Sequence, residues 1–186
     1  MSNWYYFKLF IKKTLRFLLK PLSFVPAALV MVMIFNFSAQ DGISSSALST
    51  EITETIVHSF NYRMNMEWTP YEQAALVESL EYIVRKLAHF GEYALLGLTL
   101  AIPLYTYGVR QWKLPLLAES ICVAYAFLDE YHQMFSAGRS PRLTDVAIDS
   151  AGAITGILIA QILCFILART IFRPLAIKKK KKKKAE

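Results

Sequence analysis

Apolar positions in this chain gather into long runs rather than into an alternating pattern. Pro21 to Phe37 carries no charge; later runs extend roughly from Leu87 to Tyr107, Leu114 to Leu128 and Leu143 to Leu167. A bilayer crossing needs about 20 predominantly apolar residues, so each run is expected to be a span and the third is short. A short span draws its end inward. Asp129 and Glu130, which follow it, are therefore expected below the headgroups.

The segment between the first two runs follows a different pattern. FSAQDGISSSALS is rich in turn formers, with Ser44 to Ser46 as candidate N-caps. Leu48, Ile52, Ile56 and Phe60 then recur every four residues, which predicts a short amphipathic helix. Thr69-Pro70-Tyr71-Glu72 reads as a helix start: Thr69 caps, Pro70 suits the first helical position and Glu72 closes a capping box. Leu76, Leu80, Ile83 and Leu87 give that helix one apolar stripe, able to run unbroken into the second span. The expected fold is all-α: a multi-pass membrane bundle of four transmembrane helices, with an external amphipathic helical segment between the first two.

Composition agrees with the pattern. Hydrophobic residues make up 55% and charged residues 19%, against about 25% charged in an average soluble domain. The formal net charge is +7, but the basic residues cluster at the ends, from Lys8 to Lys20 and from Arg169 to Lys184. This distribution fits a positive-inside signal and not a nucleic-acid footprint. Residues 1–20 read as a basic amphipathic cytoplasmic N-terminus, 21–167 as the four-span domain, and 168–186 as a basic cytoplasmic tail attracted to anionic lipid. Phe37-Ser38-Ala39 is a poor cleavage site, so the first run reads as an uncleaved span, with Pro26 able to kink it. Both termini and the Arg110/Lys113 turn fall on one side. The acidic segment from Ser38 to Lys86 and the loop from Asp129 to Arg142 fall on the other, which implies a plasma-membrane protein with both termini in the cytoplasm. Cys122 and Cys164 lie inside apolar runs and read as buried hydrophobes rather than a disulfide or a nucleophile.

This topology brings three polar clusters to one depth. Lys86, His89, Glu92 and Tyr93 open the second span, spaced to share a helix face. Asp129, Glu130, His132 and Gln133 close the third. Arg139, Arg142, Asp145 and Asp149 open the fourth, and the Asp145/Asp149 stripe continues as Gly152, Gly156 and Ala160, small residues that let helices approach closely. Ionisable groups at a span mouth are costly and face a bundle interior or polar cavity. His132 is expected to face water. Glu119 falls in the inner half of the third span, where a lone acid is expected to pair with backbone or a tyrosine.

KLAHFGEY, DEYHQMF followed by Gly138-Arg139, and TDVAIDSAGAITG resemble the motifs of the VanZ-like family, small membrane proteins named after a teicoplanin-resistance accessory protein. FNFSAQDGISSSALS is similar to that family's first-loop pattern. The resemblance covers most of the chain from Phe35 to about Ile159. Ser136-Ala137 stands where a proline is frequent in the family, and Asp149 where asparagine is frequent. The resemblance implies a role in glycopeptide (teicoplanin) resistance or cell-envelope properties rather than a particular reaction.

The residues fit several chemistries. Lys86, His89, Glu92, Tyr93, Asp129, Glu130, Gln133, Arg139, Asp145 and Asp149 form the expected binding set, with an anionic lipid headgroup or a lipid-linked cell-wall precursor as partner beside the bilayer. His89, Glu92, Asp129, Glu130 and Asp145 are the groups able to act as acids or bases if the protein is an enzyme on such a substrate, with Arg139 as phosphate clamp. The same set admits a purely structural ion-paired network, Lys86 or Arg139 with Asp145 and Glu130. His89 with Glu92, plus Asp129, Glu130, His132 and Asp145, could supply a His/carboxylate metal site, but no HExxH or comparable motif is present; no metal is expected, and the sequence leaves any cofactor open.

Overall fold

The computed structural model describes residues 20–139 and 142–170, together with positions 4, 6, 7, 10, 11 and 14. The basic N-terminal segment, those positions apart, and the lysine tail from 171 onward lie outside the described residues. Among the described residues five helices are bounded, in order: α1 (Val25–Ser38), α2 (Gly42–Met64), α3 (Pro70–Thr106), α4 (Lys113–Gln133) and α5 (Leu143–Thr170). Three helical stretches are long and apolar enough to cross a membrane: Lys20–Ser38, Pro70–Thr106 and Leu143–Leu167. The helix of the tail side continues three residues past the expected boundary at Leu167.

Local chemistry accounts for the boundaries. Pro26 sits in the first turn of α1, where its missing N–H costs nothing. The break expected at Pro26 lies just before it, in the turn at Ser23–Phe24. Helix α2 starts earlier than expected. Asp41 and not one of the serines is its N-cap, accepting from the Ser44 N–H at 2.7 Å. The Thr69/Glu72 capping box forms as expected. From there α3 runs unbroken for 37 residues, about 55 Å at 1.5 Å per residue, longer than a bilayer core is thick.

The core is built on α3 and α5. Tyr93, Leu96, Leu100 and Ala101 of α3 meet Val146, Ala153, Ile157 and Ala160 of α5, while Leu114, Ala118, Cys122 and Ala126 bury one stripe of α4. Ala27, Val30 and Ile34 bring in α1, and the Tyr125 hydroxyl donates to the Met31 carbonyl at 2.6 Å. Glycines set the α3–α5 distance. A Cβ on Gly152 would overlap the Phe90 carbonyl, one on Gly156 the Ala94 carbonyl, and one on Gly97 the Ala153 carbonyl. Small residues at the contact are what close helix packing in lipid requires.

Helix α2 turns its small and polar residues toward α3 and its four-residue apolar repeat away from it. Its buried face against α3 is Ser49, Thr53 and Val57, and Ser49 donates to Glu81 at 2.7 Å. Leu48, Ile52, Ile56 and Phe60 point outward, each 44–50% exposed. In lipid the apolar stripe is the outward one, and small or polar residues make the helix contact.

Candidate functional site

At one end of the bundle the C-terminal end of α1, the first turn of α2, the middle of α3, the loop after α4 and the start of α5 converge. The loop is held at both sides. The Gly42 N–H donates to the Ala137 carbonyl at 2.9 Å, Ser136 Oγ donates to the Ser38 carbonyl at 3.5 Å, and Arg139 Nη2 to the Phe37 carbonyl at 3.4 Å. Gly42 meets Gly138 so closely that a Cβ at 42 would lie 2.7 Å from the Gly138 carbonyl oxygen. Gly138 itself has φ +74°, a left-handed conformation that glycine adopts freely.

Under this loop lies a polar chamber of about 280 Å³ whose walls include Lys86, His89, Gln133, Arg139 and Asp145. Five of the ten expected binding residues are thus brought to one cavity from four separate segments. Arg85, Arg142, Tyr82 and the first turn of α2 (Gly42, Ser45, Ser46) complete it. None of these was in the expected binding set. Arg85 stands four residues before His89 and so shares its helix face, a signal present in the sequence. Nothing in the serines marked them.

The charged groups divide into paired and unpaired. Lys86 Nζ and Asp145 Oδ1 lie 2.5 Å apart, and Arg85 pairs with Glu81 while also contacting Ser46 and Ser49. His89 Nδ1 and Glu92 Oε2 are 3.9 Å apart, within electrostatic reach and too far for a hydrogen bond. Arg139 and Arg142 form no ion pair among the described residues. Burial lowers the Arg139 guanidinium, aided by repulsion from Arg85, with Asp129, Glu130 and Glu92 acting the other way. A guanidinium stays charged in proteins regardless. The expected pairing of Arg139 or Lys86 with Glu130 is replaced: Glu130 accepts from the Arg142 N–H at 2.9 Å and so anchors the start of α5.

Of the other expected residues, Glu92 lines an adjoining cavity and the remaining four are buried. Tyr93 and Asp149 are fully buried, Asp129 and Glu130 nearly so, and Gln133 donates to Asp129 at 3.2 Å. Asp129 Oδ1, Asp149 Oδ1 and the Tyr93 hydroxyl have no hydrogen-bond partner. Buried polar atoms left this way are uncommon in folded proteins. His132 is half-buried rather than turned to water, its ring 4.3 Å from that of Phe35. The expected partner of Glu119 is not found: its Oε2 is buried without a hydrogen bond. Among the described residues no three His, Cys, Asp or Glu side chains group to hold a metal ion.

A second cavity, a groove of about 250 Å³, adjoins the first. It runs between α2 and α3, lined by Phe37, Leu48, Ile52, Val84 and Ala88, with Glu92 also in its wall. Ser45, Arg85, His89 and Arg139 line both cavities. The VanZ/LLP1 family model matches residues 23–167. The chain belongs to the VanZ/LLP1 family. The matched range takes in all five helices but for the last three residues of α5, and every residue that lines the chamber and its groove. No curated protein and no solved structure matches the chain.

Proposed function

We propose that the protein is a four-span cell-membrane protein whose chamber, at the outer face, binds the anionic headgroup of an envelope lipid or lipid-linked wall precursor. By holding that headgroup it modulates envelope properties and glycopeptide susceptibility without catalysis. The observation that carries this reading is Arg139: a half-buried guanidinium in a concave polar site with no carboxylate partner among the described residues. A purely structural network would pair such a charge.

Chain connectivity supports the fourth crossing. Helix α3 leaves the chamber level and ends at Thr106; α5 begins at the chamber level; α4 must carry the chain between them. Its 21 residues reach about 30 Å, the thickness of a bilayer core. The basic Arg110/Lys113 turn at the end away from the chamber supports a cytoplasmic assignment for that end.

A second reading has its own support. Asp129, Asp149 and Tyr93 keep unpartnered polar atoms behind the chamber, beside Glu92, where proton transfer to a bound lipid-linked substrate would need groups of this kind. The protein would then be an enzyme acting on that headgroup.

Complementation separates the readings. His89→Ala, Glu92→Gln, Asp129→Asn and Arg139→Ala are each expected to accumulate in the membrane and to lose the effect on glycopeptide susceptibility. A headgroup-hydrolysis assay on purified protein is expected to show no turnover; turnover lost in Glu92→Gln and Asp129→Asn would favour the enzyme. Full activity in all four variants would overturn the site altogether.

A further inference from the structure

The chamber and the groove share four residues, and each alone falls below the roughly 300–1,000 Å³ typical of small-molecule sites; together they fall inside it. Their chemistries differ in a way that describes one kind of ligand. The chamber holds Arg85, Lys86, Arg139 and Arg142; two carboxylates, Glu81 and Asp145, pair with the first two, which leaves Arg139 and Arg142 without an ion-pair partner among the described residues. Two unpaired guanidiniums side by side suit the several acceptor oxygens of a phosphate monoester. Asp129, Glu130 and Glu92 act electrostatically on Arg139, with Glu130 also accepting from the Arg142 N–H and Asp129 from Gln133. The groove presents a mostly apolar surface, from Phe37, Leu48, Ile52, Val84 and Ala88, with polar residues such as Gln40, Ser49 and Glu92 among its walls. Leu48 and Ile52 belong at once to its wall and to the outward stripe of α2, so the groove opens on the face that suits lipid.

We propose that chamber and groove form one bipartite site for an amphiphile with a phosphate-monoester head and a single long apolar chain. The head sits among Arg139, Arg85 and Arg142, and the chain lies between α2 and α3 against Leu48, Ile52, Val84 and Ala88. This rests on the headgroup reading above and deepens it. The ligand enters sideways from the lipid, and the first turn of α2 forms the junction between head and chain.

The test uses full-length protein in dodecyl maltoside. One probe is an alkyl monophosphate with a mid-chain diazirine; its control has the same chain and a hydroxyl head. Photolabelling by the phosphate probe is expected to concentrate at Leu48, Ile52, Val84 and Ala88, at least tenfold above the hydroxyl probe. Arg139→Ala is expected to lose that enrichment and Arg139→Lys to restore part of it, which excludes misfolding as the cause. Inorganic phosphate, followed by titration, is expected to bind at least tenfold more weakly than the alkyl phosphate and in an Arg139-dependent way. Equal labelling of the groove by both probes, or equal binding of inorganic and alkyl phosphate, would overturn the bipartite site and leave the headgroup reading standing. Binding of neither would overturn both.

Discussion

Lys86 Nζ lies 2.5 Å from Asp145 Oδ1, joining the middle of α3 to the first turn of α5 across the mouth of the chamber. Both side chains are largely shielded, so the pair behaves as a buried one. Removing one partner of such a pair strands a charge and destabilises by roughly 3–5 kcal/mol, whereas replacing both with apolar groups of similar size is often neutral. Asp145→Leu alone is expected to lower membrane abundance severalfold, and Lys86→Met with Asp145→Leu to recover it. Immunoblots of membrane fractions would read the difference; equal abundance of single and double variants would show that the pair contributes nothing.

The α3–α5 seam is expected to tolerate no side chain. At Gly156 an added Cβ would meet the Ala94 backbone, which cannot swing aside as a side chain does. Overpacking alone costs about 1–3 kcal/mol, and Gly156→Leu is expected to exceed that and prevent stable accumulation. Gly91→Ala is the control, since a Cβ there meets nothing within 4 Å. Thermal unfolding in detergent checks both, and a folded Gly156→Leu with unchanged midpoint would contradict the seam.

Topology is testable with single cysteines. A cysteine at Ser136, in the loop over the chamber, is expected to react with an impermeant thiol reagent on intact cells. One at Gln111, in the turn after α3, is expected to react only once the membrane is opened. The reverse pattern would place the chamber on the cytoplasmic side.

Much of this was legible in the sequence. Apolar runs located the three helices long and apolar enough to cross a membrane, the Thr69/Glu72 box located the start of α3, and the Gly152–Gly156–Ala160 spacing located its contact with α5. Five of the polar residues read at the ends of the runs, Lys86, His89, Gln133, Arg139 and Asp145, line one cavity. What could not be read was which charge meets which. Asp145 pairs with Lys86 rather than Arg139, because the rotation of α5 against α3 is set by glycine contacts between backbones, and Gly97 carried no sign of its role. Which face of α2 meets α3 was not fixed by its sequence, for another reason. Burial of Ser49 and Thr53 with exposure of Leu48 and Ile52 inverts the rule for water-soluble helices, and a periodic apolar stripe has the same spacing in either case.

Arg139 decides whether the chamber is a site or a brace. Titrating purified protein with glycerol phosphate, followed by ³¹P NMR, measures headgroup binding directly. Charge-assisted hydrogen bonds are worth about 1.5–3 kcal/mol, so Arg139→Ala is expected to weaken binding roughly 10- to 100-fold while its unfolding midpoint stays at the wild-type value. Undiminished binding by Arg139→Ala, or a wild-type protein that binds no glycerol phosphate, would contradict the account.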